Sequence, residues 1–229
     1  MNAVITGATK GIGKAIVLKL AQQGYNLAIC ARTETDLQLL KNELAQYKVK
    51  VIAIKADMGN KDEIYNFCTE VKKIYPKIDV LVNNAGVFIP GSLLDEEDKT
   101  FEYQSMVNVN APYYLSKYFG KMMREQRSGH IFNICSIAST QTIDNAGSYS
   151  VTKAAMLSLN NVLRKELSAY NVKVTAILPG STLTASWAGT TISPDKFVQP
   201  EDIANSLYSI LNLSNGVNVD EITLKPLKF

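Results

Sequence analysis

The sequence predicts an α/β fold built on a doubly wound parallel sheet, and three observations predict it. Short β-branched runs alternate with longer segments of helical period. The runs are apolar throughout rather than alternating in polarity, which suits strands covered on both faces. A glycine-rich turn follows the first run and opens a helical segment, and strands regularly separated by helices require crossover connections and a parallel sheet.

Taken in order, "NAVI" (2–5), "NLAIC" (26–30), "VKVIAI" (49–54), "VLV" (80–82), "HIFNIC" (130–135), "VKVTAIL" (172–178) and "EITL" (221–224) read as seven strands. Gly24 stands where the first helix should stop. The helix near 33–46 opens with "TETD", a capping box in which Thr33 caps and Asp36 answers it. A further helix starts near Pro200. No low-complexity linker, repeat or composition break divides the chain, so residues 1–229 are expected to form a single domain.

Composition narrows the function. At 229 residues and 46% hydrophobic, the chain can bury a substantial core. No apolar run approaches the roughly 20 residues of a membrane span, and "MNAVITGATKGIG" does not read as a signal peptide. The three cysteines (Cys30, Cys68, Cys135) are widely spaced and His130 is the sole histidine, which argues against a zinc site or any other metal centre. Free, buried thiols fit a reducing cytoplasm. The net charge of +3 is spread along the chain and gives no support to nucleic-acid binding. His130, just before the fifth strand, is expected to be structural.

The turn "TGATKGIG" places Gly7, Thr9, Lys10, Gly11, Ile12 and Gly13 between a strand and a helix. Glycine permits a tight turn and lets a pyrophosphate approach the main chain, while the helix N-terminus supplies unpaired N–H donors. The stretch is not a P-loop, because no G-K-[ST] ends it. In dinucleotide-binding domains that use NAD, an acidic residue ends the second strand. Here Ala31 and Arg32 stand there. Alanine leaves room for a 2′-phosphate and arginine offers it a planar fork of donors, with Lys10 as a second positive charge. NADP(H) is therefore expected over NAD(H).

"SYSVTKAAM" (148–156) puts Tyr149 and Lys153 one helical turn apart on a shared face. Alone, the pair is as compatible with a solvated surface as with a proton donor and the cation that tunes it. A tyrosine titrating near 10 holds its proton tightly, and an ammonium close by favours the phenolate and lowers that pKa.

Together these motifs resemble the short-chain dehydrogenase/reductase family. "TGATKGIG" is similar to its T-G-x-x-x-G-x-G turn, "NNAG" (83–86) to its segment after the fourth strand, "YSVTK" to its Y-x-x-x-K and "PG" (179–180) to its motif after the sixth strand. The resemblance implies a Rossmann-type domain that transfers hydride between NADP(H) and a carbonyl or alcohol. It implies Tyr149 as acid/base, Lys153 tuning it and holding the cofactor ribose, and Ser136, thirteen residues earlier, stabilising the substrate oxygen. Asn108 best matches the asparagine of the family tetrad, with Asn110 the competing choice. Asp57 and Met58 match the adenine-contacting segment, and Asn84, Ala85 and Gly86 the segment beside the ribose. Pro179, Gly180, Thr182 and Thr184 match the contacts to nicotinamide carboxamide and diphosphate.

About 15 residues, roughly 185–199, form a short lid, which implies an open site or a small substrate. Trp187 either covers the site or packs the lid down. Tyr113, Tyr114, Tyr118 and Phe119 sit at helical spacing and read as core or subunit-interface packing, and the family resemblance implies a homodimer or homotetramer. Two other readings are a non-enzymatic NADP-binding sensor or scaffold, and a nucleotide-sugar epimerase or dehydratase on the same fold. The substrate carries no motif.

Overall fold

The computed structural model describes residues 1–228. Seven strands form one sheet, β1 (Asn2–Thr6), β2 (Asn26–Ala31), β3 (Val51–Lys55), β4 (Val80–Asn83), β5 (Gly129–Ile134), β6 (Val172–Pro179) and β7 (Glu221–Leu224). Their order is 3-2-1-4-5-6-7 and every pairing is parallel. The helices are α1 (Gly11–Gln22), α2 (Glu34–Leu44), α3 (Lys61–Ile74), α4 (Asp98–Ser105), α5 (Ala111–Gln126), α6 (Gly147–Leu167) and α7 (Pro200–Leu211).

Residues of α1, α2 and α7 pack into one hydrophobic cluster against the sheet, and residues of α3 and α5, with the end of α6, into another. On α1 the spacing of Ile16, Val17 and Leu20 turns all three fully inward. Each such burial contributes about 1.5–3 kcal/mol relative to exposure. The inner strands are almost wholly covered, which explains their unbroken apolar character. The edge strands β3 and β7 are only half covered, and β7 alternates in exposure.

All seven expected strands are present with small boundary shifts. The "VKVIAI" strand begins two residues late, at Val51, and the "HIFNIC" strand ends at Ile134. The first helix stops at Gln22 and Gly24 follows with φ +80°, as expected. The capping box at Thr33 does not form. Thr33 is the N-cap of α2 but its side chain caps nothing, and the Asp36 carboxylate that would have answered it pairs instead with Lys10 at 2.9 Å.

The sheet order reverses between β1 and β4, so the chains leaving these two strands diverge and open a crevice at the sheet's C-terminal edge. Every residue of the site lies on this edge or on segments folded over it. A chain of buried amides anchors the deeper part. Asn83 on β4 donates to Ser116 (2.9 Å) and to Asn133 on β5 (2.8 Å), which donates to Asn160 on α6 (2.9 Å). These bonds fix α6 against the sheet.

Candidate active site

The crevice contains a cavity of about 340 Å³ lined by the turn after β1, the end of β2, the segment after β3 and the segment after β4. Gly7 takes φ +63°, and a Cβ on Gly13 would lie 2.2 Å from the Gly7 carbonyl oxygen. Glycine at 13 is thus required by the helix meeting its own turn. Asn84 fastens the arrangement, donating to the Thr6 (2.8 Å) and Gly7 (3.0 Å) carbonyls, while Thr6 Oγ1 accepts from the Asn84 (3.2 Å) and Ala85 (3.0 Å) amides. Asn84 therefore holds the glycine turn, a role beyond the ribose contact its motif implied. Thr6, which does the same from β1, was not among the expected site residues.

The start of α1 has no side-chain cap and no acidic residue in its first turn. Its leading N–H groups face the crevice without a side-chain partner, which suits a diphosphate. At the far end, Ala31 closes β2 and the exposed Arg32 donates to the Tyr103 hydroxyl at 2.8 Å. Asp57 and Met58 complete that end. The Asp57 carboxylate accepts from the Gly59 amide at 2.8 Å, and Met58 is buried. Lys10 lines the cavity but is paired with Asp36, so the second positive charge expected there is partly neutralised. The uncapped start of α1 and the Arg32 guanidinium beside Ala31 fit a dinucleotide bearing a 2′-phosphate.

The cavity brings together Gly7, Thr9, Lys10, Gly11, Ile12, Arg32, Asp57, Met58, Asn84, Ala85, Gly86 and Thr184. It does not include Gly13, Pro179, Gly180 or Thr182. Gly13 lies behind the turn. The Gly180 amide donates to the Leu224 carbonyl at 2.7 Å, and Thr182 donates to the Gly180 carbonyl at 2.9 Å. Tyr103 is the residue missed at the Arg32 end of the cavity. It lies 71 residues from Arg32 in sequence, on α4, and no motif marks it.

Beyond Gly86 stand Ser136, Tyr149, Lys153 and Asn108. A Cβ on Gly86 would lie 3.4 Å from Asn108 Oδ1 and 3.6 Å from Lys153 Nζ, so this glycine is the joint between the cavity and those side chains. Lys153 is 5% exposed and donates to the Ile134 carbonyl at 2.9 Å, with Nζ 5.7 Å from the Tyr149 ring centre. No carboxylate pairs with it among the described residues. One carbonyl engages one of three ammonium hydrogens, leaving two directions for other acceptors.

Ser136 ends β5's exit and caps a short 3₁₀ turn, Ile137–Ser139. Its Oγ accepts from the Ala138 amide at 3.1 Å, which leaves the hydroxyl hydrogen free to be donated. Tyr149 lies on the first turn of α6, and Phe88 sets its ring edge-on against it at 4.9 Å.

Asn108 sits in a single π-helical turn, Met106–Asn110, between α4 and α5, a widening that often marks functional positions. It is fully buried. Its Oδ1 accepts from the Val87 amide (2.9 Å), and its Nδ2 donates to the Val87 carbonyl (2.9 Å) and to Thr152 (3.1 Å). Thr152 in turn donates to the Tyr149 carbonyl at 2.8 Å. The Asn108 side chain thus ties the post-β4 segment to the turn carrying Tyr149, a positioning role. Asn110 is exposed and takes no part.

The remaining expectations divide. All three cysteines are free and buried, and burial pushes Cys30 and Cys135 up to about 12. His130 is buried, stacks on Phe132 at 4.0 Å and bonds Thr175 through Nε2 at 2.8 Å. It is structural, as expected. Of the aromatic cluster, Phe119 is core while Tyr113 is 45% exposed. Trp187 packs on Phe197 at 5.0 Å, and the backbone bridge between Thr182 and Val198 pins the base of the 185–199 segment. No group of three or more metal-ligating side chains and no helix long and apolar enough to cross a membrane occurs among the described residues.

Comparison with known proteins agrees with this fold. Residues 1–193 match the family model described as short chain dehydrogenase. An uncharacterized oxidoreductase of Staphylococcus aureus is 35% identical over 225 residues, covering 98% of this chain and 96% of its own. Among solved structures, the alcohol dehydrogenase of Thermococcus sibiricus complexed with 5-hydroxy-NADP is 28% identical with a TM-score of 0.91, covering 99% of this chain and 96% of its own. L-Sorbose reductase of Gluconobacter frateurii, complexed with NADPH and L-sorbose, is 25% identical with a TM-score of 0.91, covering 98% and 95%. With its seven-stranded parallel sheet, its glycine turn and a family match over most of its length, the chain belongs to the short-chain dehydrogenase/reductase family.

Proposed function

We propose that this protein is an NADP(H)-dependent oxidoreductase that interconverts a carbonyl and an alcohol. The observation that carries the reading is the buried ammonium of Lys153, free of any carboxylate partner, placed between Gly86 of the cavity and the Tyr149 ring. Arg32 beside Ala31, and the NADP or NADPH bound to the related structures, support NADP(H) over NAD(H). The nicotinamide cofactor supplies or accepts the hydride.

The protein's own groups do the rest. The Ser136 hydroxyl donates to the substrate oxygen and stabilises the charge that develops there. In the reducing direction Tyr149 gives its phenolic proton to that oxygen, and the nearby Lys153 ammonium stabilises the phenolate left behind until water re-protonates it. Asn108, through Thr152 and the Tyr149 carbonyl, holds the tyrosine's turn in place. Ser136 has no work in a pure NADP sensor, and no observation favours a sugar-nucleotide epimerase.

We read residues 1–229 as one such domain with 185–199 as its lid, acting in the cytoplasm. Exposed Tyr113 on α5 and Val162 on α6 support packing between copies as a homodimer or homotetramer. The deciding experiment follows NADPH and NADH consumption side by side against diketones, quinones, β-ketoacyl thioesters and sugar-derived carbonyls. NADPH-specific turnover of one class is expected. Tight NADPH binding with no turnover of any class would favour the sensor, and binding of neither cofactor would overturn the reading.

A further inference from the structure

The chain as a whole is cationic, at +3, yet the segment packed against the start of α6, next to Tyr149, is rich in carboxylates, while the Lys153 ammonium stands on the other side of the tyrosine's turn against the Ile134 carbonyl. The segment leaving β4 folds across the start of α6. Gly91 donates to the Asn145 carbonyl at 2.9 Å and accepts from the Gly147 amide at 3.3 Å, and Leu93 packs over Gly147. A tight turn follows, in which the Asp95 and Glu96 amides both donate to the Ser92 carbonyl. Glu96 then accepts from the Ser148 hydroxyl, one residue before Tyr149. Its second oxygen, Oε2, is buried with no hydrogen-bond partner, and no cation pairs with this carboxylate among the described residues. The same segment carries Asp95, Glu97 and Asp98 in succession, answered only by Lys99, which pairs with Glu97. Asp144 adds another exposed carboxylate ahead of α6, and the lid's Asp195 and Lys196 cancel.

The same strip also presents apolar surface. Phe88 is 50% exposed with its ring edge against Tyr149, and Leu93 is 55% exposed. Neither is needed for the core. A substrate whose carbonyl reaches Tyr149 must lay its flank against them.

Building on the carbonyl-reductase reading above, we infer that the substrate is an uncharged ketone or aldehyde with an aryl or short alkyl arm, and that carboxylate- or phosphate-bearing carbonyl compounds are rejected. Phe88 and Leu93 receive the arm by apolar contact. Glu96, which has no cation partner, and the carboxylates around it repel an anion approaching Tyr149. Ester and acid forms of one carbon skeleton vary the charge, and substitutions at Glu96 and Phe88 then separate repulsion from apolar contact.

The test measures NADPH-dependent turnover of methyl benzoylformate against benzoylformate, and of ethyl acetoacetate against acetoacetate. The ester of each pair is expected to be favoured by about tenfold or more in kcat/KM at low salt, with the ratio shrinking as salt rises. Glu96→Gln should narrow the ratio several-fold. Asp95→Asn with Glu97→Gln, both in exposed positions, serves if the Glu96 variant fails to fold. Phe88→Ala should raise KM for methyl benzoylformate more than for ethyl acetoacetate. As a readout independent of turnover, methyl mandelate should raise Tm more than mandelate does. Equal or better use of the acids overturns the inference while leaving the reductase reading intact. Turnover and binding of no compound overturn both.

Discussion

The two ends of the sheet both carry polar groups but treat them in opposite ways. At the N-terminal end side chains and amides bond one another across the strands. The Asn2 amide donates to Asp79, Asn26 donates to Asn2, the Lys50 amide donates to Asn26, and Gln126 both donates to and accepts from Ile78. Near that end His130 bonds Thr175, which donates its own hydroxyl hydrogen to the Val219 carbonyl at 2.7 Å. Thr175 therefore accepts from histidine, so Nε2 carries the imidazole proton. At the C-terminal end the groups keep capacity in reserve. Lys153 has two free donor directions, Ser136 a free hydroxyl hydrogen and α1 an uncapped first turn. Satisfied polar groups hold a fold together, whereas reserved ones at a crevice mark where a ligand completes the bonding.

Tyr149→Phe gives the sharpest contrast between the ends. It removes one oxygen and leaves the ring packed on Phe88, so Tm and NADPH affinity should stay near wild type. Turnover should fall by about 10²–10⁴-fold, the usual worth of a positioned acid/base. Stopped-flow kinetics with equilibrium NADPH binding would check this, and a variant keeping most of its turnover would sink the assignment of proton transfer.

His130 gives the matching test at the closed end. Burial, with the Lys173 ammonium acting in the same direction, pushes its pKa down to about 3. The folded state thus binds fewer protons than the unfolded state between about pH 6.5 and 3. Its contribution is fully present above the unfolded pKa and is lost as pH falls through that window, amounting to about 3 kcal/mol by pH 4. Urea unfolding at both pH values should show this loss, and His130→Gln, which keeps a donor for Thr175 but does not titrate, should remove most of it. An unchanged slope in the variant would assign the acid sensitivity to other groups.

How much of this was legible in the sequence follows the same division. The glycine turn and its strand were readable because local backbone geometry demands glycine there, as Gly7 and Gly13 show. The Tyr149–Lys153 pair was readable because both lie on one helix. Thr33 misled, since a capping box is a local pattern and the competing partner of Asp36, Lys10, came from another element. Tyr103, Phe88 and Glu96 were invisible as site residues for the same reason. Each acts through a partner 52 or more residues away, brought near only by the sheet order.

Arg32→Asp tests the open end at its adenosine limit, with a smaller expected effect. The substitution removes charge-assisted donors and places a carboxylate where a 2′-phosphate would lie. The KM for NADPH should rise about 10–100-fold, from hydrogen bonds worth about 1.5–3 kcal/mol, while that for NADH changes little. Equal losses for both cofactors would refute the phosphate role and leave Arg32 as a general wall of the cavity.

Tyr103→Phe should have the smallest effect. Its hydroxyl accepts from Arg32 across the mouth of the cavity, and its ring lies so close to Gly59 that a Cβ there would meet it at 3.0 Å. The phenylalanine keeps the ring and loses only the bond that aims the guanidinium. An exposed hydrogen bond of this kind contributes about 0.5–1.5 kcal/mol, so NADPH affinity should fall a few-fold and NADH affinity should not change. Tyr103→Ala, which also removes the ring from the cavity wall, should weaken both cofactors. If Tyr103→Phe instead strengthened NADPH, the Arg32–Tyr103 bond would be a competitor that the phosphate must break, and this end of the site would count among the satisfied regions of the molecule.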